Sequence, residues 1–219
     1  MIFQSAELNK SNINPRIIMK QISSSIKVMA VALALATSTS FATASVFSYY
    51  ANLDGPSEFP VNASPGTGYG TVDYDNVART LTMNVSFSGL VGAVTASHIH
   101  GLTASPFTGT AGVVLTPGTL PGFPLGVTSG TYSTVLDMSL AATYPAAFIT
   151  ANGGTTLGAE AAITGAMAAG KTYWNIHSQT FPGGEIRGFL TAVPEPGSLS
   201  LLGLGGIAFL ARRSFSRKG

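Results

Sequence analysis

Three histidines make up the whole imidazole complement of this 219-residue chain, and all fall in two short segments of similar character. His98 and His100 alternate in TASHIHG, and His177 lies in YWNIHSQTFPGGEIRG. Side chains two apart on a strand share a face, so His98 and His100 point one way and Ile99 the other. In the later segment Trp174 and Ile176 share one face, and Tyr173, Asn175 and His177 the opposite one. If Ile99, Trp174 and Ile176 face a core, the imidazoles lie on the outer side, and on neighbouring strands they converge. Three neutral imidazoles suit copper or zinc, with an open position left for water. The structural alternative is that the rings hydrogen-bond to backbone and to Asn175 or Glu185, fixing loops at one end of the fold.

Other candidates carry less chemistry. Glu185 and Arg187 share a strand face in GEIRG and are expected to pair across strands as a structural salt bridge. Asp73 and Asp75 alternate on a strand edge, two carboxylates being too few for a calcium site. GTGYG is followed by no helix, so its glycines read as turn or bulge positions and not as a dinucleotide loop. Tyr49, Tyr50, Tyr69, Tyr132 and Tyr144, if exposed, are candidates to stack on sugars, and otherwise belong to a core. No G-x-S-x-G or H-E-x-x-H pattern occurs. With no cysteine, thiol chemistry and disulfides are excluded. The expectation is a protein that is not an enzyme.

The elements that must position these residues read mostly as strands. LTMNVSFSGL alternates cleanly, with Leu81, Met83, Val85 and Phe87 on one face and Thr82, Asn84, Ser86 and Ser88 on the other. SVFSYYANL, GYGTVDYD, TASHIH, AGVVLT, TYSTVLDMSL, KTYWNIHS and GGEIRGFL are further short runs bounded by Gly, Pro and Asn. LGAEAAITGAMAAG is Ala-rich enough for one short helix ending near Gly170, and residues 106–130 read largely as loop. The fold class expected is all-β, a sandwich or barrel with one short helix.

Charge separates this body from its ends. Residues 45–193 hold seven acidic and three basic side chains, a net −4, whereas the formal total of +2 comes from basic clusters in both tails. A mildly acidic body argues against a nucleic-acid partner. Residues 1–44 read as a signal peptide: MKQISSSIK is a cationic n-region, VMAVALALA an apolar h-region, and Ala42 and Ala44 are small residues placed for signal peptidase before Ser45. Met19 heads this signal, so residues 1–18 are expected to lie upstream of the true start. At the other end, residues 193–219 run from Pro194, Glu195 and Pro196 through about 13 apolar residues to Arg212 and Arg213. At 1.5 Å per residue that run spans about 20 Å, short for a permanent anchor. Cationic segments at both ends stay cytoplasmic, so what lies between them crosses the inner membrane.

Two resemblances sharpen this reading. The tail resembles the PEP-CTERM sorting signal, which implies transient residence in the inner membrane and processing by an exosortase. Within residues 45–192, LDGPSEFP, GTGYGTVDYD, FSGL, ASHIHG and WNIHSQTFPGGEIRGFL occur in the order and spacing of the CHRD domain. That resemblance implies an immunoglobulin-like β-barrel distantly similar to Cu/Zn superoxide dismutase. On the dismutase comparison His98, His100 and His177 would match the copper ligands. With no fourth histidine to bridge copper to zinc, a mononuclear site is the most the comparison implies. The function expected is an exported, non-catalytic surface or extracellular-matrix protein, linked to biofilm or exopolysaccharide. A mononuclear copper or zinc protein is the alternative.

Overall fold

A computed structural model describes residues 45–194. The segment expected to be a signal peptide, with Ala42 and Ala44, and the tail from Glu195 through Arg212 and Arg213 lie outside the described residues; Pro194 is the last of them and is exposed. No described helix is long and apolar enough to cross a membrane.

The described chain is all-β in its framework. Its strands are β1 (Val46–Asp54), β2 (Thr67–Asp75), β3 (Thr80–Ser88), β4 (Val94–Gly101), β5 (Gly130–Asp137), β6 (Thr172–Ser178), β7 (Ile186–Phe189) and β8 (Thr191–Ala192). They form one antiparallel sheet in the order β4-β6-β7-β1-β2-β3-β5, with β8 pairing β1. The alternation in LTMNVSFS appears as burial: Leu81, Met83, Val85 and Phe87 are core, and Asn84, Ser86 and Ser88 face water. β2 is an interior strand, contrary to the edge expected for Asp73 and Asp75. Asp75 Oδ1 accepts from the Val77 and Ala78 amides at 2.8 Å and shapes the β2–β3 turn.

The sheet curls into a half-barrel, and the segment between β4 and β5 closes its open side. Val114 N donates to Ile99 O (3.0 Å), Leu120 N to Ser97 O (2.9 Å) and Val94 N to Val127 O (2.8 Å), so the outer edge of β4 is sealed by loop backbone. AGVVLT is therefore not a strand; it contributes one isolated bridge, Val113 to His100. Its neighbours Val114 and Leu115 are nonetheless core.

The Ala-rich segment forms α2 (Thr156–Ala168), preceded by a six-residue helix α1 (Ala146–Ala151) that composition did not suggest. Thr155 caps α2 by accepting from Gly158 N, and Gly170 follows the helix with φ +65°. Ala159, Ile163 and Met167 bury one side of α2 against the sheet's core. Beside them the buried Glu160 binds Arg79 (2.5 Å) and the Tyr74 hydroxyl (2.7 Å). Tyr49, Tyr132 and Tyr144 also lie in the core. That leaves Tyr69, 51% exposed, and the half-buried Tyr50 as the surface tyrosines of the expected set.

Candidate metal centre

β4 and β6 are hydrogen-bonded neighbours, and their register decides what the histidines do. His98 lies opposite Asn175, His100 opposite Tyr173, and Ala96 opposite His177. Inward from the same strands, Ile99, Trp174 and Ile176 are at most 1% exposed, so the imidazoles take the outer face as alternation requires. The rings gather there, with centroids 4.9 Å apart for His98 and His177, 5.5 Å for His98 and His100, and 6.0 Å for His100 and His177. One nitrogen from each lies within 4.8 Å of the others. The alanine opposite His177 leaves room for that ring to lean towards His98.

This outer face is not open surface. Loops roof it, and all three imidazoles are half-buried. The same loops fix the tautomers. His100 Nδ1 lies 2.9 Å from Ala111 O, and His177 Nδ1 lies 2.9 Å from Pro182 O. A carbonyl oxygen only accepts, so both Nδ1 atoms carry the proton and both Nε2 lone pairs are free. His100 Nε2, His177 Nε2 and His98 Nδ1 are buried without a hydrogen-bond partner. The alternative drawn from the sequence is thus half right. The rings do bind backbone, at Ala111 and Pro182 and not at Asn175 or Glu185, and each such bond frees the opposite nitrogen.

Electrostatics keeps these nitrogens unprotonated. Burial, then the neighbouring His177 and His100, pushes His98 down to about 4. Burial also lowers His100 and His177, against the opposing pull of the Ala111 and Pro182 carbonyls. Three converging, unpartnered, neutral imidazole nitrogens are a donor set that copper or zinc can take, at metal–nitrogen bonds of about 2.0–2.1 Å.

The supporting shell includes groups that sequence reasoning missed. Tyr173 stacks on His100 with planes 3° apart, and its hydroxyl donates to Ala111 O at 3.3 Å. The turn carrying Pro182 needs Gly184 at φ +136°, where a Cβ would stand 2.6 Å from Glu58 Oε1 and 2.7 Å from Asn175 Oδ1. Glu58, read only as part of LDGPSEFP, is 4% exposed and lies beside Asn175 and Arg187. The expected Glu185–Arg187 pair does not form. Glu185 precedes β7 and accepts from Ser64 Oγ (2.6 Å), Val91 N (2.5 Å) and Gly92 N (3.2 Å). Arg187 instead donates to Ser57 O and Gly109 O and stands 3.9 Å from Glu58.

No curated protein and no solved structure matches the chain. Two family models do. The PEP-CTERM protein-sorting motif matches residues 192–217; it implies processing by an exosortase and is consistent with export. The CHRD domain model matches residues 49–190, which takes in the curled sheet and all three histidines, and the chain belongs to the CHRD domain family.

Proposed function

We propose that this CHRD protein is carried across the inner membrane to the cell surface or beyond, and there binds one copper or zinc ion through His98 Nδ1, His100 Nε2 and His177 Nε2. The observation that carries the reading is that these three atoms, on two paired strands, are the ones left buried and unpartnered. A buried unpaired acceptor costs about 1–3 kcal/mol, and three in contact are hard to explain as scaffolding. The role we assign is metal holding, not catalysis. Isothermal titration of the apo protein with Cu²⁺ and Zn²⁺ tests it, with quenching of the sole tryptophan, Trp174, as a second readout. We expect one ion per chain and no binding after His98, His100 and His177 are all changed to Ala. Binding that survives the triple change refutes the site.

A second reading, a matrix role in contact with exopolysaccharide, has one observation in its favour. Tyr50 and Tyr69 stack 6.4 Å apart on the open face of β1 and β2, beside Thr71, Asn84 and Ser86. An aromatic platform among neutral hydroxyl and amide groups suits sugar rings. The two readings concern different faces and do not compete.

A further inference from the structure

The imidazole cluster has a cationic neighbour that the three-ligand reading leaves unused. Arg187 is 5% exposed and lies opposite Asn175 in register. Its guanidinium carbon is 4.8 Å from the centre of the Tyr173 ring, and Tyr173 stacks in parallel on His100 at 4.9 Å. A fixed positive charge is thus held within about 10 Å of a ligand ring, in surroundings that screen it far less than water does. The carbonyls of Ser57 and Gly109 hold it in place.

Among the described residues no carboxylate takes a hydrogen bond from it. Glu58 Oε2 is 3.9 Å away, beyond hydrogen-bond reach, and burial pushes this carboxyl up to about 7 despite Arg187. Asp54, opposite Arg187 in register, directs Oδ1 to the Ser57 amide at 2.7 Å. Among the described residues no carboxylate forms an ion pair with any of the three imidazoles.

Such a site penalises the charge of the ion it holds. A divalent ion places two positive charges among three neutral donors beside a fixed cation, and a monovalent ion places one. Ligand softness does not decide the matter, since imidazole serves several metals; charge does. Geometry agrees: three nitrogens about 2.0 Å from a central ion stand about 3.5 Å apart, so nitrogens now within 4.8 Å need only small ring rotations. We propose that the cluster is a site for monovalent copper, held three-coordinate by His98, His100 and His177, with Arg187 biasing it against divalent ions. The proposal rests on the metal reading above.

The test compares Cu⁺ binding, by anaerobic competition with bicinchoninate, with titrations of Cu²⁺ and Zn²⁺, all at pH 8 where Glu58 is ionised. Wild-type protein should prefer Cu⁺ by roughly tenfold or more. Arg187→Gln should lower the Cu⁺/Cu²⁺ affinity ratio by about tenfold, or about 59 mV in the reduction potential of the bound ion. Glu58→Gln removes the nearest anion and should move the potential the opposite way, and Arg187→Lys should retain most of the wild-type value. Loss of a merely structural contact would not produce shifts of opposite sign, and Glu58→Gln serves if Arg187→Gln fails to fold. Equal or tighter binding of Cu²⁺ or Zn²⁺ overturns the proposal while leaving the metal site standing. Binding of no metal overturns both. Potentials that shift the same way in Arg187→Gln and Glu58→Gln overturn the part given to Arg187.

Discussion

Glu185→Gln is the substitution that most directly tests how the loops are fastened around the imidazoles. Glu185 is fully buried, and each carboxylate oxygen accepts a backbone amide, Val91 N on Oε1 and Gly92 N on Oε2, with Ser64 Oγ also on Oε1. Burial alone would raise its pKa. Hydrogen bonds from the Ser178 and Ser64 hydroxyls and the two amides outweigh burial and hold the carboxyl below its ordinary range. A glutamine offers one acceptor oxygen, so whichever way its amide is turned, an NH₂ faces a backbone N–H. One buried amide is left unsatisfied at about 1–3 kcal/mol, and the remaining bonds lose their charge assistance, for a total of roughly 3–5 kcal/mol. In a domain of this size that lowers Tm by on the order of 10 °C. Because Glu185 N also donates to Ile176 O at 2.8 Å, and the turn before it carries Pro182, metal affinity should fall as well. The assay is urea unfolding of wild type and variant at pH 7, with Cu titration alongside. A loss below about 1 kcal/mol with unchanged affinity would refute the argument. The pH dependence has a definite sign too: a depressed carboxyl stabilises above its unfolded value, and that stabilisation disappears as pH falls through the lower folded value.

Two further predictions follow from the same geometry. The imidazoles are held below 6.5, so the unfolded chain takes up protons near that value which the folded chain refuses; apo-protein stability should fall as pH drops from about 6.5 towards 4. Glu58, raised to about 7, works the other way, so urea midpoints are best followed in Glu58→Gln, where a flat profile between pH 7 and 4.5 would contradict the pKa reading. Gly70→Ala touches no ligand, yet its Cβ would lie 3.0 Å from Trp174 Cε3; we expect about 1–3 kcal/mol of overpacking strain and weakened metal binding, and an unchanged titration would show that the two faces of β6 are independent.

What could be read from sequence was whatever local periodicity encodes. LTMNVSFS alternates because one face of β3 meets the core and the other meets water, and HIH carries the same code on β4. The histidine triad was readable for this reason: two of the histidines alternate on one strand, and the third shares a face with Tyr173 and Asn175 on another. The code fails where both faces are covered. In β6 all residues but His177 are buried, so TYWNIHS shows no contrast between the sides even though its side chains alternate. Glu58 and Arg187 were hidden for a different reason. The loop that supplies Ser57 and Glu58 reaches Arg187 across 130 positions, and no local pattern records which acid a distant arginine will face. Glu185 was assigned to Arg187 on spacing alone, but it lies one residue ahead of β7 and its partners come from the other side, at Ser64, Val91 and Gly92.

The burial of β6 on both faces also explains how so small a donor set can be held still without disulfides. On the inner side Trp174 fills the barrel against Gly70, and its indole N–H is satisfied by Ser97 Oγ at 2.8 Å; Ser97 Oγ in turn donates to Asn175 O. Those bonds cross from β6 to β4 between the two strands that carry the histidines, so the register opposing His98 to Asn175 and His100 to Tyr173 is pinned by the core itself. A one-residue slip of β6 would send His177 inward and Trp174 and Ile176 outward, exposing the largest apolar side chain and burying a polar ring in the core. On the outer side, Ala111 and Pro182 each fix one ring through a single carbonyl. Positioning therefore costs the cluster no extra residues: the strand pairing that builds the barrel sets the spacing of the imidazoles, and two loop carbonyls choose which ring nitrogen is left free.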